Sequence, residues 1–435
     1  MARPKADPAA LAALLEVLPA PAQGGWLAAA QAAGAARLAA MGLPQRRDEY
    51  WRYTDPAGFN APLPDPAEAS AEPSAFEGIA RVRLVFVDGA FDAAASDDPA
   101  AAGVEIAPLS VAGAADIHWA RELHGAIEGA AHAAVARPFA ALNAARAPDG
   151  VVIRATRPAR LPVEIICRTA GGARDVLLRH LLRVDPGASL TLIETLGGGA
   201  RSLHMIEAEI GAGAALHHIR IEPRVIAHPC QSHLHARLGA GATLKSFTLS
   251  GSAGLMRNET VVDILGDGAA AHVAGVDEAY RIGGAHVAGA GALHDDTVFM
   301  THAAEGCESR QVFKRVLREG AVGVFQGKIL VRPGAQKTDG YQISQALLLD
   351  DASQSLAKPE LEIYADDVKC SHGSTTGAID ETALFYLRSR GVPAAEAEAL
   401  LVLAFLAEAV AEIEDPALAG AVEARLAGWF GREAD

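Results

Sequence analysis

A thiol and an imidazole stand two residues apart at Cys370 and His372, in the polar, Gly-rich stretch ADDVKCSHGSTTGAIDETALFYLRSRG (365–391) that opens into a helix. Side chains alternate along extended backbone, so if this turn is locally extended both groups face one side and can address the same metal or sulfur atom. Iron, zinc and sulfide centres usually take about four ligands, and no second Cys or His follows at ligand spacing. The pair is either half of a site completed from elsewhere, another chain included, or an inert thiol beside a capping turn.

A second cluster is His228, Cys230, His233 and His235, preceded by His217 and His218. His233 and His235 share a face if they lie on a strand, and with Cys230 they would suit zinc or copper. The alternative is histidines that pack and hydrogen-bond within a sheet. His294, Asp295, Asp296, His302 and Cys307 form a third scatter, at no metal-motif spacing. The chain has no G-x-x-x-x-G-K-[ST] phosphate loop and no G-x-S-x-G nucleophile turn, and Gly197–Gly199 lacks the strand and helix of a dinucleotide site.

These groups must be positioned by a chain of 435 residues, 50% apolar and 21% charged, long enough for two or three domains. A formal charge of −15 disfavours nucleic acid and anionic lipid as partners. The four cysteines lie more than 60 residues apart and read as reduced thiols. Arg3, Lys5 and LAALLEVL imitate an export signal, but Asp7 and Glu16 put carboxylates where such a signal wants none. No run is long enough to span a bilayer, and a cytoplasmic location is expected.

Residues 1–147 are expected to be mainly helical, with strands at VRLVFV (82–87) and 104–109. RRDEYWRYTD (46–55) is a helix with aromatics packed inward or a docking surface. From 148 to 365 short apolar runs alternate with Gly turns at Gly187, Gly213, Gly241, Gly268, Gly291 and Gly320, in steps of 26, 28, 27, 23 and 29 residues. Such a period belongs to a solenoid, each Gly turning a corner before a strand. The expected fold is therefore mainly β with α, a right-handed parallel β-helix flanked by N-terminal and C-terminal helical domains, with a β-sandwich as competitor. Residues 366–435 return to helix: Asp380 caps 381–390, Gly391 stops it, Pro393 starts a helix to 413, and a third begins at Asp415-Pro416.

From His294 to Gly391 the runs HDDTVFMTH, VFQGKILV, AQKTDGYQISQALLLDD, KPELEIYADDVKCSHGSTTG and LFYLRSRG follow one another as in the SufB/SufD family, scaffold proteins of iron-sulfur cluster assembly, which this chain resembles. WRYTD and the segment after Cys370 resemble the SufD branch more than SufB. The resemblance implies a β-helix that pairs with SufB and C-terminal helices that dock the ATPase SufC. It implies that Cys370 and His372 lie at the SufB interface where a nascent cluster forms, His372 being the stronger contributor. It also implies that Leu384, Phe385, Leu387, Leu401 and Phe405 belong to the SufC-docking helices. On this reading the chain is a non-catalytic scaffold that holds no cofactor stably, ATP binds the SufC partner, and the isolated chain can form a homodimer. The rivals are a SufB-like homodimeric scaffold and a β-helix enzyme acting on polysaccharide.

Overall fold

The computed structural model describes residues 8–62, 65–69, 73–131, 135–197, 199–222, 228–252, 254–279 and 292–431. Its strands are β1 (Val82–Val87), β2 (Ala90–Asp92), β3 (Glu105–Pro108), β4 (Val151–Ala155), β5 (Val163–Arg168), β6 (Asp175–Val184), β7 (Ser189–Thr195), β8 (Arg201–Ile210), β9 (Ala215–Ile221), β10 (Cys230–Leu238), β11 (Thr243–Ser252), β12 (Leu255–Ile264), β13 (Ala270–Ala279), β14 (Leu293–His302), β15 (Glu308–Leu317), β16 (Val322–Val331), β17 (Thr338–Leu348), β18 (Gln354–Ile363) and β19 (Val368–Gly377). From β4 onward successive strands fall alternately into two sheets, one ordered β19-β17-β15-β13-β11-β9-β7-β5-β1-β2 and the other β18-β16-β14-β12-β10-β8-β6-β4-β3. Each coil thus contributes one strand to each sheet. Pairing is parallel throughout except for β1 with β2 and β3 with β4, so the fold is the parallel solenoid and the sandwich alternative is excluded.

Corner chemistry explains why the glycines recur. Gly187, Gly213, Gly241 and Gly268 all sit at positive φ, a conformation that costs Gly no Cβ clash. Each donates its N–H to a carbonyl in the next coil: Gly187 to Ala212 (3.0 Å), Gly213 to Ala240 (2.8 Å), Gly241 to Asp267 (2.8 Å) and Gly268 to Glu305 (2.9 Å). The column continues through Gly306 and Lys337, the latter at φ 56°. The expected Gly291 lies outside the described residues, and the expected Gly320 turns the opposite corner, between β15 and β16. The even period breaks because Ala270 pairs with Glu308, a step of 38 residues, where Thr243 pairs with Ala270 after 27.

Between the sheets lies one apolar core that includes Leu84, Phe86, Ile165, Leu192, Ile206, Leu234 and Ile329. The helices cover the outer faces. Helices α1 (Pro8–Val17), α2 (Gly25–Met41), α3 (Ala57–Asn60), α4 (Leu109–Gly113), α5 (Ala120–Leu123), α6 (Ala126–Ala131) and α7 (Pro138–Arg146) precede the solenoid proper, and α8 (Glu381–Ser389), α9 (Ala394–Val410) and α10 (Pro416–Gly431) follow it. Leu14, Trp51, Phe59 and Phe139 pack on Leu177, Leu203 and Leu255 of the even-numbered sheet. Val402, Leu406, Leu418, Val422 and Trp429 pack on Ile193, Phe247, Val276 and Val312 of the odd-numbered sheet. The export-like LAALLEVL, all but its last residue Leu18, is part of α1, with Leu14 fully buried. No described helix is long and apolar enough to cross a membrane.

Candidate functional site

Cys370 and His372 lie on β19, the last strand of its sheet, and not in a turn beyond the solenoid. The expectation of a turn failed because Ser, Thr and Gly are poor strand formers; here the parallel ladder from Thr338–Val368 to Leu347–Gly377 imposes the extended backbone. The conditional reading of the spacing holds, since i and i+2 on a strand share a face. That face is the interior one: Cys370 packs against the core between the sheets, half-buried, while His372 is exposed. In register beneath Cys370 is Gly340, where a Cβ would stand 3.3 Å from Sγ. Burial pushes the Cys370 thiol above its usual range, opposed by a backbone hydrogen bond at Gly340. At neutral pH it is a thiol.

The second terminal strand, β18, ends the other sheet. It carries the half-buried Lys358, Glu360 and Glu362 on one face, and Pro359 removes one ladder donor. The aromatic segment near the N-terminus docks beside it. Tyr50 donates its hydroxyl to Glu360 (2.7 Å), Lys358 pairs with Glu49 (2.9 Å), and Trp51 is buried under the Arg257 guanidinium. Burial and the Glu360 carboxylate hold the Tyr50 hydroxyl protonated.

Behind the terminal pair, the interior is not purely apolar. A hydrogen-bonded chain runs along it from coil to coil: Glu194 to Arg220 (2.9 Å), Arg220 to Ser232 (2.7 Å), Ser232 to Asn258, Asn258 to Asp296 (3.3 Å), Asp296 to Arg315, and Arg315 to Ser344 (2.8 Å). Ser344 is the register neighbour of Ser374 on β19. Every member but Asn258 is at most 5% exposed, which makes each partner obligatory, since a buried charge without one is costly. Arg220 and His218 hold Glu194 far below the carboxylate range against the burial that would raise it. Asp277 and Asp296 face each other beside Arg315; burial, first, keeps Asp296 protonated while Arg315 favours the Asp277 anion.

The other candidate clusters resolve differently. Strand parity separates Cys230, which faces inward with Leu234 and Ala236, from His233 and His235, which face outward under the N-terminal layer. No group of three or more His, Cys, Asp or Glu suited to a metal ion is found among the described residues, so the geometry proposed for this cluster does not form. His233 stands 3.9 Å from Glu259, itself paired with Arg137, and burial depresses its pKa to about 4. His294, Asp296 and His302 face inward, whereas Asp295 faces outward to accept from Thr54 and Arg257. His302 meets Ser309 at 2.8 Å, and Cys307 is buried.

In the C-terminal layer Asp380 caps α8, accepting from Thr382 (2.8 Å) and Ala383 (3.1 Å), and Gly391 takes φ 89° just past its end. Helix α8 buries none of its residues. Phe385 is 74% exposed, Tyr386 56% and Leu400 of α9 46%, while Leu384, Leu387 and Leu401 are half-buried. Phe405 is half-buried too, beneath the Lys314 ammonium. Residue-type patterns alone pointed to neither the β18 edge nor the buried Arg and carboxylate chain. The chain had one readable signal, the charged residues interrupting apolar strands at Glu194, Arg220, Asp277 and Arg315.

A family model for the SufBD core domain of the SUF system of FeS cluster assembly matches residues 167–405. The chain is 30% identical over 407 residues to the iron-sulfur cluster assembly protein SufD of Escherichia coli (strain K12), covering 90% of each chain. It is 34% identical over 117 residues to SufD of Bacillus subtilis (strain 168), covering 27% of each. An iron-sulfur cluster assembly SufBD family protein of Mycobacterium tuberculosis (strain H37Rv) is 30% identical over 258 residues, 57% of this chain and 62% of that one.

Proposed function

This chain belongs to the SufB/SufD family, and on that premise we propose that it is a non-catalytic scaffold subunit of iron-sulfur cluster assembly. It pairs with SufB through the open end formed by β18 and β19, and it hydrolyses no nucleotide itself. The observation that carries this reading is the position of Cys370 and His372 on one interior face of a terminal strand whose outer edge has no partner strand among the described residues. A partner solenoid abutting that end would bring its own side chains into the same interior. Two ligands of the usual four then come from each side.

His372 is the stronger ligand because it is exposed; Cys370 must shed a proton that burial holds on the sulfur. The iron and sulfide are cargo and leave as a finished cluster. The exposed Phe385 and Tyr386 of α8, with Leu400, are the surface for the SufC ATPase, whose ATP would drive the change that admits iron and sulfide. Without SufB the same edge would pair with a second copy of the chain.

The test is anaerobic reconstitution of the complex with SufB and SufC. His372→Ala should leave the complex intact and cut cluster yield at least ten-fold, with a smaller loss for Cys370→Ala. Cluster assembly at the unsubstituted rate in His372→Ala would remove the ligand role.

A further inference from the structure

Two buried glutamines lie beneath the terminal site. Gln311 of β15, Gln342 of β17 and His372 of β19 are consecutive register neighbours on the interior face. Both glutamines are fully buried. Among the described residues, neither the side-chain oxygen nor the nitrogen of either one has a hydrogen-bond partner. This contrasts with Ser344, two residues along the same strand, which Arg315 engages at 2.8 Å. Buried carboxamides left without partners are uncommon and need a reason.

The surroundings leave room for them. The Gln342 amide reaches across the interior to Gly327 of the facing sheet, where a Cβ would stand 2.1 Å from Nε2. Gly340, also without a side chain, underlies Cys370. The floor of the site is therefore two glycines and two unsatisfied amides, with the exposed imidazole above.

We propose that Gln342, backed by Gln311, is the inner wall of the Cys370/His372 site and donates its amide N–H to an anionic sulfur ligand held there, sulfide or thiolate. This rests on the reading of that site as half of a cluster-assembly centre. Hydrogen bonds to sulfur stabilise the anion and tune cluster electronics. Register neighbours on one sheet face are spaced for carboxamide ladders, so the Gln342 carbonyl can accept from Gln311 while its N–H serves the ligand. One bound anion then leaves Gln342 with a partner on both its oxygen and its nitrogen. Glutamine suits the task because it adds no charge at a fully buried position.

The experiment uses the full chain in complex with its partner subunits, loaded anaerobically with ferrous iron and sulfide. Gln342→Leu and Gln342→Glu are compared with His372→Ala by labile-sulfide count, visible absorption and melting temperature. Both Gln342 variants should assemble and retain at least five-fold less sulfide, with a shifted charge-transfer band, and Gln342→Leu should melt at or above the unsubstituted temperature, whereas the buried carboxylate of Gln342→Glu lowers it. Unchanged sulfide and spectrum in Gln342→Leu, with His372→Ala impaired, would overturn this proposal alone. Unchanged values in all three would overturn the cluster reading with it. A lowered melting temperature in Gln342→Leu would also overturn the proposal, because the amides would then be structural, satisfied by trapped water.

Discussion

The two ends of the solenoid are built on opposite plans. At the first end the sheets finish in short antiparallel strands, the three residues of β2 against β1 and the four of β3 against β4. The interior there is plugged by hydrocarbon: Leu84, Phe86, Ile153 and Ile165 are fully buried, and Phe91 stacks edge-on to Phe86 at 5.5 Å. At the other end both sheets stop on ten-residue parallel strands, and β19 presents His372, Ser374 and Thr376 to solvent. Proteins normally blunt such edges with short strands, charge, proline or a covering element. Here β2 and β3 do so at one end, while at the other β18 carries charge and a proline and β19 a single lysine, Lys369. One end is thus closed by its own chain, and the other leaves two long strand edges uncovered among the described residues, as the proposed pairing requires.

Substitutions at the two ends should separate these roles. The largest effect is expected from Phe86→Ala at the plugged end, a loss of ~3–5 kcal/mol in urea unfolding, since the side chain is fully buried and the coil cannot collapse around the void. Partner binding should survive in whatever fraction remains folded. Next is the pair Ser374→Lys with Thr376→Lys, which places two ammonium groups on the open edge proposed to meet SufB. Affinity for SufB should fall roughly 100-fold, about 2.7 kcal/mol, by titration calorimetry, with stability unchanged within about 0.5 kcal/mol because both positions are exposed.

Smaller per histidine and per pH unit is a pH effect that belongs to the closed interior. Burial depresses His180 to about 4 and His204 to about 3. Their pKa in the unfolded chain is ~6.5. Between those values the unfolded chain binds more protons, so stability is full above pH ~6.5 and falls as pH drops through the window, by about 1.4 kcal/mol per unit for each histidine. His204→Leu should flatten the slope by one histidine's share in denaturant titrations across pH 4–6.5. The smallest effect on folding is expected from Cys370→Ala, below ~1 kcal/mol for a half-buried side chain at an open end.

Much of this contrast was legible from residues alone, for reasons that differ along the chain. VRLVFV forms β1 at the expected residues because a β-branched and aromatic run ending in Asp88-Gly89 has few alternatives. The Gly corners from Gly187 to Gly268 were legible because each must take positive φ. The column was lost after Gly268 because a longer coil intervenes and the corner at Lys337 is not a glycine, so type no longer marks conformation. Cys370 and His372 stood out by type and spacing, but their strand did not, since VKCSHGSTTG owes its extension to β17 and not to its own propensity. Gln311 and Gln342 could not be found before the register was known. A glutamine in a strand gives no sign of having nothing to bond to.

Amide hydrogen exchange on the free chain and on its complex with SufB tests the central contrast most directly. The account predicts slowed exchange in the complex over β18 and β19, with β1 to β3 unchanged, because only the open end acquires a new ladder. Equal exchange over β19 in the free and bound chain, with protection appearing elsewhere, would contradict it.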